Sequence, residues 1–233
     1  MAVPMRLAVQ PPRTAQFAGT TGAGLHRIAP PDAQGRRGPL ALVPPGLGAD
    51  PAALVVLLHG SAGEPDQAVS YLEPFASAAS VIVLAPASRG YTWDAILGRA
   101  GPDADAVGQV LHWAFERFAI DRARLAVGGF SDGASYALGL GIANGDVFSS
   151  AVALSPGFIP AAAAVGKVRT FVAHGTADTV LPIERCSRRI VPELRRAGHE
   201  VAYEEFEGGH LIPPRIASAA CSWMLGVSWR EVA

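Results

Sequence analysis

Two kinds of hydrophobic pattern alternate along this chain. Short unbroken apolar runs leave no polar face for solvent, which suits strands buried on both sides. Between them, apolar residues recur every three or four positions, as on the buried stripe of a helix. From Ala52 onward the first pattern predicts strands at Ala53 to Leu58, Val81 to Leu84, Leu125 to Phe130, Ala151 to Leu154 and Val168 to Ala173. Val201 to Phe206 alternates like a less buried strand. The second pattern predicts helices at Ala68 to Ala79, Asp103 to Ile120, from the turn at Ser131 to about Asn144, Pro182 to Ala197, and Pro214 to Leu225. Asp103 suits a helix dipole at its N-terminus, and Pro182 suits a first helical turn. Upstream, Leu25 to Ile28 and Leu40 to Val43 read as short meander strands. Residues 1–24 are expected to form an N-terminal arm or an edge strand, ahead of one domain over residues 25–233. Strands alternating with helices predict an α/β architecture, a parallel sheet covered on both faces, whose chemistry gathers in the loops at the strand C-termini.

The most distinctive of those loops follows Leu125-Ala126-Val127. There the chain runs through Gly128-Gly129-Phe130-Ser131-Asp132-Gly133 into an Ala- and Leu-rich helix. Gly129 to Gly133 has the Gly-x-Ser-x-Gly form, which puts a serine on a strained strand-to-helix turn with its hydroxyl exposed at the sheet edge. Glycines on either side leave room for the neighbouring strand and the following helix. A serine hydroxyl is a poor nucleophile near neutral pH, so it needs a base within reach and an acid to orient that base. Two further strand-end loops supply both: His174-Gly175-Thr176-Ala177-Asp178 and Gly208-Gly209-His210. His210 would take the Ser131 proton and return it to a leaving group, and Asp178 would orient the imidazole. The backbone N–H groups of Ser61, in the His59-Gly60-Ser61 loop, and of Asp132 would form an oxyanion hole. Tyr91 and Trp93, in the connection from Ala85 to Ala100, stand at the same edge as candidate substrate contacts, with a packing role the alternative for Trp93.

Other polar residues have plainer readings. His59 and His174 precede glycines at strand ends and are expected to hydrogen-bond their own loops. His174 with Asp178 lacks a third ligand at a metal spacing, so no metal is implied. His112, mid-helix beside Trp113, is expected to pack. Asp132, Glu204 and Glu207 are rival acids, the first adjacent to the serine and the others too close in sequence to His210. The arginines at 185, 188, 189, 195 and 196 read as a solvated face.

Composition narrows the class. With 233 residues, 50% of them hydrophobic, 17% charged and a net charge of -1, the chain suits one sizeable core and has no electrostatic footprint for nucleic acid. No run approaches the roughly 18 apolar residues of a membrane span, and the start lacks the apolar core of a secretory signal. Cys186 and Cys221 read as free thiols in a reducing compartment, so the expected location is cytoplasmic. A homodimer is compatible with the sequence.

Together, Val127 to Gly133, His174 to Pro182, Gly208-Gly209-His210 and Leu58-His59-Gly60 resemble the phospholipase/carboxylesterase family of α/β-hydrolases, which includes acyl-protein thioesterase-like enzymes and bacterial esterases. The resemblance covers roughly Ala52 to Leu225. It implies a mostly parallel eight-stranded sheet and hydrolysis of small-molecule carboxylic esters or thioesters without a cofactor. The chain departs from the family at Asp132, where members often carry a neutral residue such as Gln. Only Ser155 to Lys167 connects the strand after the nucleophile helix to the next strand, too little for a lid domain. A small serine peptidase shares the fold and triad order but ordinarily has a gating domain. A hydrolase-like binding protein would ordinarily lack a triad member, and none is missing.

Overall fold

A parallel strand flanked on both faces must bury every side chain, and Ala52–Leu58 does so along its whole length. The computed structural model describes residues 3–12, 21–31, 35, 37–48, 50–99 and 101–228. In chain order its elements are β1 (Gly24–Arg27), β2 (Leu40–Val43), β3 (Ala52–Leu58), α1 (Pro65–Ala78), β4 (Val81–Ala85), α2 (Asp103–Phe115) and β5 (Ile120–Phe130). There follow α3 (Asp132–Ala143), β6 (Ser150–Leu154), β7 (Arg169–Gly175), α4 (Ser187–Arg196), β8 (Val201–Phe206) and α5 (Pro214–Met224). The strands form one eight-stranded sheet in the order β1-β2-β4-β3-β5-β6-β7-β8. The β1–β2 and β2–β4 pairings are antiparallel, and those from β4 onward are parallel.

Alternation along β3 divides the core between the two faces. Leu54, Val56 and Leu58 pack with Val107 and Leu111 of α2 and Tyr136 and Leu140 of α3. Val55 and Leu57 pack with Val69 and Leu72 of α1 and Ala220 and Trp223 of α5. Met5 and Leu7 join the first of these clusters. Their segment is tied down by Leu7 N–H donating to Asn144 Oδ1 (2.8 Å) and by Arg6 bridging both carboxylate oxygens of Asp146 at 2.6 and 2.9 Å.

Three helix boundaries differ from the sequence expectation by more than one residue, the first being the start of α1, which lies at Pro65 and not at Ala68 because a proline suits the first helical turn. The helix begun at Asp103 ends at Phe115, because Ala119 and Ile120 are drawn into the sheet: Ala52 N–H donates to Ala119 O (2.8 Å), and Ile120 pairs with Ala52. The helix expected from Pro182 begins only at Ser187, because Pro182 to Cys186 form turns of their own, with Arg185 N–H bonded to Pro182 O and Cys186 N–H to Ile183 O. Among its described residues, the connection that starts at Ala85 contains one 3-10 turn, at Asp94–Leu97, and no helix or strand interrupts 155–168. Among the described residues, no helix is long and apolar enough to cross a membrane.

Candidate active site

β5 ends at Phe130, and the chain turns at once into α3 through Ser131, whose φ of 58° and ψ of -120° lie outside the regions comfortable for an L side chain. Such a conformation costs on the order of 1–3 kcal/mol and persists only where the surroundings impose it. They do so here. Ser131 N–H donates to Leu154 O of β6 (2.9 Å), and Ser131 O accepts the N–H of Ser135 (3.0 Å). The flanking glycines are required sterically. A Cβ at Gly129 would stand 2.4 Å from the Gly133 carbonyl carbon, and one at Gly133 would stand 2.3 Å from Leu58 O of β3.

The loops after β7 and β8 carry the partners. They are stitched together by Thr176 N–H donating to Phe206 O (2.8 Å) and Ala177 N–H to Gly208 O (2.9 Å). His210 Nε2 lies 2.9 Å from Ser131 Oγ, and His210 Nδ1 lies 2.6 Å from Asp178 Oδ2. The imidazole rests on the Phe130 ring at 4.6 Å between centroids. Asp178 has no exposed side-chain surface, yet burial, which alone would raise its pKa, is outweighed. Oδ1 accepts the N–H groups of Leu181 (2.8 Å) and Val180 (2.9 Å), and these bonds with that of His210 hold the carboxyl below the usual range. An ionised acid, a histidine and a serine hydroxyl thus stand in one hydrogen-bonded row, the arrangement that lets an imidazole accept a hydroxyl proton.

The other expected site residues fall around this row. The Gly60-Ser61 loop abuts the serine, since a Cβ on Gly60 would stand 3.4 Å from Ser131 Cβ. Neither Ser61 N–H nor Asp132 N–H makes a backbone hydrogen bond among the described residues. The Asp132 carboxylate accepts the hydroxyl of Thr92 at 2.7 Å. Tyr91 is exposed, and its carbonyl accepts the N–H of Ala62 (2.8 Å), joining its loop to that of Ser61. Trp93 corrects the reading of it as a substrate contact. It is 0% exposed, wedged between His59 and Tyr136, with Nε1–H donating to His59 O at 2.9 Å, so it has no surface to offer a substrate.

The remaining histidines divide. His59 donates from Nδ1 to Gly60 O (2.8 Å) and accepts Ser88 N–H at Nε2 (3.2 Å), while His174 reaches Leu181 O and Ser187 Oγ. His112 does not pack: its side chain is 68% exposed and meets Glu116 at 3.1 Å. Glu204 is taken up by Arg215 (3.1 Å), and Arg188 by Glu184 and Glu205. Cys186 and Cys221 are buried free thiols, the latter pushed up to about 12 by burial. Sequence reasoning did not find Phe130 beneath the imidazole or the Val180 and Leu181 amides on Asp178. For the amides, the signal was an aspartate followed by a tight loop, the setting of an Asx turn.

No family model and no curated protein matches the sequence. Solved structures do. The fluorophosphonate-binding serine hydrolase F of Staphylococcus aureus superposes with a TM-score of 0.69 at 15% identity, over 88% of this chain and 99% of that one. Esterase PE8 gives 0.63 at 20% identity, over 81% and 97%. A phospholipase/carboxylesterase from Dyadobacter fermentans gives 0.61 at 20% identity, over 80% and 95%. The chain has the α/β-hydrolase fold.

Proposed function

We propose that the protein is a serine hydrolase of carboxylic esters or thioesters, akin to the phospholipase/carboxylesterase family, working through an acyl-enzyme in a reducing, cytoplasmic setting. The observation that carries the reading is the unbroken row Ser131 Oγ, His210, Asp178 at 2.9 and 2.6 Å. In the first half-reaction Ser131 Oγ bonds to the substrate carbonyl carbon while its proton passes to His210 Nε2. The carbonyl oxygen becomes an oxyanion held by the N–H groups of Ser61 and Asp132. As the intermediate collapses, the C–O or C–S bond breaks, and His210 gives its proton to the departing alcohol or thiol. Water then attacks the acyl group, yielding a proton to His210, which returns it to Ser131 Oγ as the acid leaves. Asp178 keeps its charge throughout, steadying the imidazolium.

Access supports substrates of modest size. With only 155–168 between β6 and β7, and no helix in it, no lid domain is inserted there, and the nearby rim includes exposed Tyr91 and Leu211. The experiment is hydrolysis of a panel of chromogenic esters, thioesters and peptide anilides by wild type and Ser131→Ala, with fluorophosphonate labelling read by mass spectrometry. Esters or thioesters should be cleaved and the adduct should sit on Ser131. Removing Ser131 should leave only ~10³ to 10⁴ over the uncatalysed rate. An adduct on another residue, or turnover confined to peptide anilides, would overturn the assignment.

A further inference from the structure

His174 lies outside the row of three but is built against it. It is fully buried at the end of β7, and both ring nitrogens are engaged. Nε2 stands 2.8 Å from Leu181 O, an atom that can only accept, so Nε2 carries the proton. Nδ1 is left with its lone pair and accepts the hydroxyl of Ser187, the first residue of α4, at 2.7 Å. The same Nε2 is 3.3 Å from Asp178 Oδ2, the oxygen that receives His210. Leu181 in turn gives its N–H to the other oxygen, Asp178 Oδ1, at 2.8 Å. His174 therefore grips Leu181 by its carbonyl while Leu181 grips Asp178 by its amide, and the positive edge of the ring faces the oxygen shared with His210.

We infer that His174, set by Ser187, is a positioning residue for the reaction proposed above, on which this inference rests: it fixes the orientation of Asp178 and tempers the charge that Asp178 presents to His210. Burial holds His174 below the ordinary histidine range, so it acts as a neutral donor. The ionisable groups that act on it are Asp178 from its own loop, His210 from the loop after β8 and Glu205 from β8, while Cys186, just before α4, faces Asp178 and Arg188 of α4 faces Glu205. Arg188 is committed to Glu205 at 2.6 Å and to Glu184 at 2.9 Å. Removing the Nε2 donor leaves more negative charge on Asp178. That favours protonated His210, so the acid limb of kcat/KM should move to higher pH.

The test compares His174→Phe, His174→Gln and Ser187→Ala with wild type over a pH series, using whichever ester the panel identifies. Loss of about 1 Å of register at the acid is worth up to ~10²-fold. His174→Phe should therefore lower kcat by about that factor with KM little changed, and shift the acid limb upward. His174→Gln, which can present an N–H at the Nε2 position, should recover most of the loss and return the limb toward wild type. A folded His174→Phe with wild-type kcat, a loss of kcat with the limb unmoved, or a Gln variant as damaged as Phe would overturn the inference. Should His174→Phe fail to fold, Ser187→Ala decides: a fall of about three- to tenfold with the limb moved the same way supports it, and wild-type behaviour overturns it. Ser131→Ala separates the two readings. If it stays active the hydrolase proposal fails, whereas if it is inactive while the His174 variants behave as wild type, only the positioning role is lost.

Discussion

Gly133→Ala places a methyl group where the first turn of α3 crosses the end of β3. The new Cβ would lie 2.3 Å from Leu58 O and 2.5 Å from His59 O, where ordinary contact begins at 3.4 Å. Neither oxygen can retreat alone. Leu58 is paired in register with Gly129, and His59 O is held by the Trp93 indole at 2.9 Å. The helix must therefore back away by roughly 1 Å, carrying Ser131 and the Asp132 N–H away from the Ser61 loop and from His210, a displacement worth about 10²-fold in kcat. Overpacking of this kind costs about 1–3 kcal/mol, within the ~5–15 kcal/mol margin of a typical domain, so the variant should still fold. The assay is steady-state hydrolysis of a soluble chromogenic ester beside urea unfolding, with Gly108→Ala as control. Gly108 lies inside α2 with its nearest neighbour, Val9 Cγ1, at 3.9 Å, so an alanine there meets no obstacle. That control should keep full activity and gain about 0.5–1 kcal/mol, since glycine weakens a helix interior. Wild-type kcat and stability in Gly133→Ala would refute the claim that this close approach fixes the serine.

Asp178→Asn should keep its fold and lose about 10⁴ in kcat through the wrong histidine tautomer, and a loss below about tenfold would move the acid elsewhere. If the Asp132 carboxylate, which accepts the Thr92 hydroxyl, lies near the oxyanion of the proposed reaction, Asp132→Asn should leave ester hydrolysis unchanged or faster; a large loss of kcat would show that the charge is needed. Stability should fall as pH drops below about 6.5, since burial lowers the pKa of His59 and His174 and the unfolded chain alone binds their protons there. Each contributes up to about 1.4 kcal/mol per pH unit, until its lower folded value is passed. Urea unfolding at about pH 7.5 and about pH 5.5 reads the difference, and equal stabilities would contradict it. With no lid domain between β6 and β7, rates should saturate smoothly as a sparingly soluble ester passes its solubility limit, whereas a sharp activation by emulsified long-chain triglyceride would reveal a mobile cover.

Strands and site loops were legible because both depend on short stretches. β2 coincides with Leu40 to Val43, and Ser131, Asp178 and His210 each sit where a strand-type run stops. Helix ends were less so. Nothing near Phe115 in the sequence says that Ile120 will pair with Ala52, a partner far upstream. Side-chain roles set by distant loops were also hidden. Trp93 belongs beneath His59 and Tyr136, and Thr92 beside Asp132, forty positions away, only once the loop after β4 has folded over the end of β3. His112 went the other way, because a helical residue next to a tryptophan can still point outward.

The strand order has a consequence for how the protein is made. On the flank that carries the candidate site, β5, β6, β7 and β8 lie side by side in the order of synthesis, joined by parallel pairings that close only across long stretches of chain. The backbone of Ser131 needs Leu154 of β6, and the Asp178 loop needs Gly208 beyond β8. Ser131 and His210 are separated by 79 positions. At roughly 5–20 residues per second a ribosome takes several seconds to cover that distance. Throughout that interval a nascent chain carries Ser131 without His210, so any hydrolytic activity that needs both can begin only after β8 and the loop beyond it have been made.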